Sequence, residues 1–150
     1  MQTFLPLPDF RQSLECLDMA RLGKQRVEAW QCLNGLALGE AYGWWHHPCT
    51  QMWVGYDDAL AHYYNLSLQV FEEHGGRNDK LWYMPTGDII LPDWFGDERL
   101  HSRHRSQLLG KARDHYSQFG WDEDPGLDYW WPGRGYYDRE TQSYYGNDQT

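Results

Sequence analysis

From Thr50 to the Gly75-Gly76 pair, Met52, Tyr56, Leu60, Tyr63, Ser67 and Val70 recur at intervals of three and four residues, with Trp53, Tyr64 and Phe71 widening the stripe. That spacing puts them on one face of a helix, which must be buried against other elements. The same period recurs upstream. Asp9 is placed to cap a short helix carrying Phe10, Leu14 and Leu17, and Asp18 to cap a longer one that ends at GLALGE. In the longer helix Met19, Leu22, Val27, Trp30 and Leu33 share a face, and Arg21, Lys24, Glu28 and Gln31 form the neighbouring polar face. Arg26 falls on or beside the apolar stripe, where a cation needs a partner. Asp97 is placed to cap a helix through HSRHRS, and a further short helix is expected from about Lys111 to Gln118. Residues 77 to 96, with two prolines, several glycines and PTGD, read as an ordered connecting loop.

The expected fold is therefore all-α: a compact single-domain helical fold with long ordered loops. Residues 1–132 form the helical domain, and 133–150 an aromatic, acidic C-terminal extension. A short hairpin centred on Gly133 to Gly135 is expected there, with fraying beyond Gly146. A chain of 150 residues suits one domain with a core that needs no metal or disulfide staple. No run approaches the ~20 apolar residues that span a bilayer, and MQTFLPLPDF lacks the pattern of a secretion signal. These features point to a cytoplasmic protein without membrane association. Cys16, Cys32 and Cys49 are odd in number and lack CxxC spacing, which points to reduced, buried thiols.

The formal net charge is -9. Beyond Trp121 the acids Asp122, Glu123, Asp124, Asp128, Asp138, Glu140 and Asp148 face only Arg134 and Arg139. Between Arg99 and Arg113 the sign reverses, because Arg99, Arg103, Arg105, Lys111 and Arg113 meet no acid. A local anion site fits this distribution better than a broad nucleic-acid-binding face.

On a helix His101, His104, Arg105 and Leu108 line one face. That cluster has three readings: a structural network tied to acids and carbonyls, a phosphate site, or a zinc site, the last opposed by the adjacent arginines. In RLGKQRVE, Lys24 and Glu28 stand four apart, either as a solvated ion pair or as an amine beside a carboxylate, the equipment for Schiff-base chemistry. In WWHHP, Trp44, Trp45, His46 and His47 either form a wall for a nucleobase or plug a small core. The nine tryptophans and eleven tyrosines supply rings for either purpose.

TFLPLPDF at 3–10, LDMARLGKQRVE at 17–28, GWWHHPCTQMWVGY at 43–56, LPDWFGDERLHSRHRSQLLGK at 91–111 and DYWWP at 128–132 together resemble a bacterial and phage subgroup grouped with the pyrimidine-dimer DNA glycosylases of the phage endonuclease V type. The resemblance implies a compact all-α fold and a nucleic-acid or nucleotide substrate. It also implies attack on a sugar carbon by the N-terminal amine, assistance from a glutamate of the early helix, an imine intermediate, basic residues on DNA, and no metal or other cofactor. Carried over, the amine belongs to Met1, since a second residue as large as Gln2 leaves the initiator in place. Matching the family's Arg-Val pair to Arg26 and Val27 puts the glutamate position at Gly23, with Glu28 more than a turn away.

Three functions follow as expectations. The first is a DNA glycosylase and lyase, with the Met1 or Lys24 amine and Glu28 at the sugar and basic residues on phosphate. The second is a phage counter-defence protein that binds or cleaves a small, even cyclic, nucleotide, with Trp44 and Trp45 on the base and His101 and His104 sharing acid and base work. The third is a non-catalytic structural or interaction domain. The candidate phosphate or nucleotide ligands are Arg21, Arg26, Trp44, Trp45, His46, His47, Arg103, Arg105 and Lys111. DNA or a small nucleotide is the expected partner, and no feature fixes an oligomeric state.

Overall fold

The computed structural model describes residues 1–132 and, beyond them, the backbone of a hairpin at 136–138 and 143–145. In chain order the elements are α1 (Phe10–Cys16), α2 (Met19–Leu38), a 3-10 turn (Gly39–Ala41), α3 (Pro48–Gln51), α4 (Asp57–Glu73), α5 (Glu98–Lys111), α6 (Arg113–Tyr116), a second 3-10 turn (Ser117–Phe119), and strands β1 (Tyr136–Asp138) and β2 (Ser143–Tyr145). The fold is all-α apart from this antiparallel pair, in which Tyr136 faces Tyr145. The pairing of Asp138 with Ser143 places the hairpin later in the chain than its expected centre. Gly133 to Gly135, and the fraying expected beyond Gly146, lie outside the described residues.

Asp9 caps α1 by accepting from the Gln12 amide at 2.8 Å, and Phe10, Leu14 and Leu17 are buried as their spacing requires. Asp18 stands at the N-cap of α2 without a side-chain capping bond. Its carboxylate pairs instead with Arg21 and with the Tyr116 hydroxyl. The buried seam of α2 is Leu22, Gln25, Ala29, Cys32 and Gly35, so Met19, Val27 and Trp30 face solvent, each more than 40% exposed. The seam is rotated from the expected apolar face because close packing on α3 and α4 selects small residues there. A Cβ on Gly35 would stand 2.8 Å from Thr50 Cγ2. Arg26 finds partners, lying over the Phe71 ring at 3.9 Å and donating to Asn78 Oδ1 and the Gly23 carbonyl.

The long helix expected from Thr50 is divided into α3 and α4. Gly55 adopts φ +88, a conformation open to glycine at little cost, and the chain turns there. The turn sends Trp53 into the core, where its indole donates to Thr3 Oγ1 at 3.0 Å. From α4 the segment 77–93 runs irregularly over the surface, held by its backbone. Asn65 exchanges two bonds with Met84, Tyr64 donates to the Trp82 carbonyl, and Asp58 accepts from the Gly87 amide. All three cysteines are free and buried, with Cys32 Sγ and Cys49 Sγ 3.6 Å apart.

The core is organised around the chain's first residues. Gln2 to Pro6 are buried in a run without regular secondary structure, with which no strand of the described residues pairs. Its peptide groups are satisfied by side chains. Leu5 donates to His104 Nδ1 at 2.8 Å and accepts from His101 Nδ1 at 2.7 Å, so two imidazoles one turn apart on α5 bracket a single residue. Ser13 bonds both the Leu7 amide and its carbonyl. Arg105 donates to the Pro6 carbonyl at 2.8 Å and to Glu123 at 3.0 Å, and also pairs with Glu98.

These bonds fix both rings as neutral. His101 donates through Nδ1 and accepts from the Gly96 amide at Nε2; His104 accepts at Nδ1 and keeps its proton on Nε2. Burial pushes His104 down to about 3. Its pKa is lower folded than unfolded, so the unfolded chain binds the extra proton between pH ~3 and ~6.5, and stability falls with pH through that window. Urea titration should show a loss of about 2 kcal/mol from His104 alone between pH 6.5 and 4.5; an unchanged midpoint would contradict a buried neutral ring. Arg105→Ala, which strands Glu123 and the Pro6 carbonyl, should cost about 3 kcal/mol by the same measurement.

Candidate active site

Arg21, Lys24, Gln25 and Glu28 stand at i, i+3, i+4 and i+7 of α2 and so share one face. Met1, Gln2 and Phe4 lie against that face, and the result is a pocket of about 280 Å³. Lys111, from the last turn of α5, and Tyr129, from the segment after α6, complete its wall.

The pocket joins one carboxylate to several cations. Burial raises the Glu28 pKa, and the positive N-terminal amine, the Gln2 backbone amide, Lys24 and Gln25 act in the opposite sense. The same amine is felt beyond the pocket. His47 is pushed down to about 4 by burial and by that charge, and Cys49 is also within its reach. Arg21, Lys24 and Lys111 add positive side chains around the opening, while Phe4 and Tyr129 supply flat rings.

Gln25 connects these parts. It is 1% exposed; its Nε2 donates to the Gln2 carbonyl at 2.9 Å and to Glu28 Oε2 at 3.0 Å. Its Oε1 accepts from the Phe4 amide at 2.8 Å and from the Tyr63 hydroxyl at 2.7 Å. Beside it the Gln2 Nε2 is buried without a hydrogen-bond partner.

Among the residues singled out from the sequence, Met1, Arg21, Lys24, Glu28 and Lys111 meet in this pocket. The others lie elsewhere. His101, His104 and Arg105 serve the N-terminal run, and Arg103 donates to the Asp128 carbonyl. Arg26 points to Phe71 and Asn78. His47 Nδ1 accepts from the Cys49 amide to cap α3, with its ring between those of Trp44 and Trp131. The Trp45 carbonyl accepts from Gln51, and His46 is exposed. A Cβ at Gly23 would meet Phe71 at 3.4 Å, so that position faces α4, whereas Glu28 faces the pocket.

Gln2, Phe4, Gln25 and Tyr129 were not singled out from the sequence. Gln25 carried a signal, since it stands one turn before Glu28 on the same face; the other three arrive through long-range packing that no local spacing announces. Among the described residues no group of three or more His, Cys, Asp or Glu could hold a metal ion, and no helix is long and apolar enough to cross a membrane.

No curated protein and no solved structure matches the chain. A family model described as pyrimidine dimer DNA glycosylase matches residues 1–84. The matched region runs from the buried N-terminal run through α4 and carries Met1, Arg21, Lys24, Gln25 and Glu28; Lys111 and Tyr129 lie outside it. With more than half of its length matched, the chain belongs to the pyrimidine dimer DNA glycosylase family.

Proposed function

We propose that this pocket is the active site of a DNA glycosylase with lyase activity, in which the Met1 amine is the nucleophile and Glu28 its proton-transfer partner. The observation that carries the reading is the meeting of a terminal amine and a half-buried carboxylate in one pocket edged by Arg21, Lys24 and Lys111. Met1 is favoured over Lys24 because it is partly enclosed beside Glu28, while Lys24 is exposed.

Once the Met1 ammonium has lost a proton to water, its nitrogen lone pair attacks C1′ as the C1′–N bond to the damaged base breaks, and the departing base takes a proton from water. Glu28 accepts a proton from the attached nitrogen and returns it to O4′ as the C1′–O4′ bond opens, leaving an imine between Met1 and the opened sugar. Loss of a C2′ proton then expels the 3′ phosphate, and water hydrolyses the imine to restore the amine. A carboxyl pKa raised by burial suits a group that must both take and give this proton. Arg21, Lys24 and Lys111 hold the flanking phosphates. His101, His104 and Arg105 act through the fold, by fixing the run that carries Met1.

A second reading, a small nucleotide as the whole ligand, is favoured by the net charge of -9, which offers a duplex little attraction outside the pocket. The two readings separate on covalent chemistry. Ultraviolet-irradiated duplex treated with protein and borohydride should give a damage-dependent adduct mapped to the Met1 peptide, retained in Lys24→Ala. An adduct on Lys24 would move the nucleophile, and no adduct beside tight mononucleotide binding would favour the second reading. Glu28→Gln should lower adduct formation roughly 100-fold or more while leaving the melting temperature within a few degrees. Lys111→Ala should weaken DNA binding several-fold and reduce the slope of log affinity against log salt by about one; an unchanged slope would remove Lys111 from the phosphate path.

A further inference from the structure

Gln25 bonds the N-terminal run as a neighbouring β-strand would. In a parallel ladder one residue donates to the carbonyl before its partner residue and accepts from the amide after it. The Gln25 carboxamide does the same around Thr3, donating to the Gln2 carbonyl and accepting from the Phe4 amide. Its second Nε2 proton goes to Glu28 Oε2, and its second acceptor site shares the single Tyr63 hydroxyl proton with the Phe4 carbonyl, at 2.7 and 2.8 Å. A carboxamide that is 1% exposed thus spends both donors and both acceptor sites on fixed partners.

We propose that Gln25 is a positioning residue that locks the Met1-bearing run and the Glu28 carboxylate in one register, so that amine and carboxylate face the pocket at a fixed separation. This rests on the amine–carboxylate reading of the pocket. No other side chain of similar length offers a donor pair and an acceptor on one planar group: glutamate lacks the donors, lysine the acceptor, and methionine both. Position 25 is also the right place on the helix, one turn before Glu28, so one side chain reaches the carboxylate and the run together.

The groups facing Glu28 come from each packed element. They are the Met1 amine and Gln2 amide from the N-terminal run, Lys24 and Cys32 from α2, Tyr63 from α4, and Tyr129 from the segment after α6. Arg21 and Lys111 stand at the pocket wall. Exchanging Gln25 for glutamate keeps the shape and the acceptor but turns an oxygen toward Glu28 and toward the Gln2 carbonyl. A like charge favours the protonated carboxyl, so Glu28 should release its proton at higher pH.

The test uses carbon-13 titration of the Glu28 carboxyl in the wild type and in Gln25→Glu, without DNA, alongside borohydride trapping on a duplex with an abasic site. We expect the Glu28 midpoint of Gln25→Glu to rise by about one pH unit or more, and trapping kcat to fall at least tenfold with KM within about twofold. A folded Gln25→Glu whose Glu28 midpoint coincides with that of the wild type overturns the proposal. Should the variant not fold, the wild type alone decides. Its Gln25 side-chain amide resonances should titrate with Glu28 and exchange with solvent at least a hundredfold more slowly than those of an exposed glutamine. Amide resonances indifferent to Glu28 overturn the proposal too. If the midpoint moves while the wild type gives no adduct, the catalytic reading falls and the positioning role stands.

Discussion

The structure depends on burying an irregular peptide segment that no sheet of the described residues receives. An unpaired buried amide or carbonyl costs about 1–3 kcal/mol, so placing Gln2 to Pro6 in the core obliges the surrounding helices to supply polar side chains at fixed places. Gln25 from α2, Tyr63 from α4, and His101, His104 and Arg105 from α5 meet that obligation, and Ser13 from α1 meets it at Leu7. This explains why helices in an otherwise apolar interior carry glutamine and histidine in their buried seams.

The same constraint sorts the positive charge. α5 gathers most of the chain's uninterrupted basic run, yet Arg105 is consumed by the N-terminal run and two glutamates, and Arg103 by a carbonyl of the last segment. Lys111, at the helix end, remains beside the pocket together with Arg21 and Lys24. A strongly acidic molecule thereby keeps a concave place in which several cations surround a single carboxylate. Positive charge is concentrated at the pocket rather than spread over a face.

Much of the fold was legible in the sequence. Phe10, Leu14 and Leu17 declared α1, and Asp9 and Asp97 declared two helix starts, because capping and period act over a few residues. The phase of α2 was misread, since its seam is set by Gln25, Ala29 and Gly35, whose importance lies in what they approach and not in their hydrophobicity. The break at Gly55 was hidden because Met52 and Trp53 continue the apolar stripe across it while pointing into the core from a turn. For the site, RLGKQRVE carried Arg21, Lys24 and Glu28 on its helical period alone. A structural network tied to acids and carbonyls was one of three readings open for His101 and His104, but the partner was not legible, because nothing local points to one leucine 96 to 99 residues away.

Those separations govern the order in which the molecule can be completed. Gln2 and Phe4 within the buried run, and Leu7 just after it, are answered by side chains of α2, α4 and α1, whereas the Leu5 and Pro6 peptide groups are answered only by side chains near residue 105. Until α5 has formed, Leu5 and Pro6 have no place in which they are both dry and bonded, and contacts this distant close late because of their loop entropy. A chain lacking α5 would therefore keep the Gln25 bonds that hold the run beside Met1 but leave Leu5 and Pro6 unanswered, so that the docking of α5 closes the far end of a segment already held at its near one.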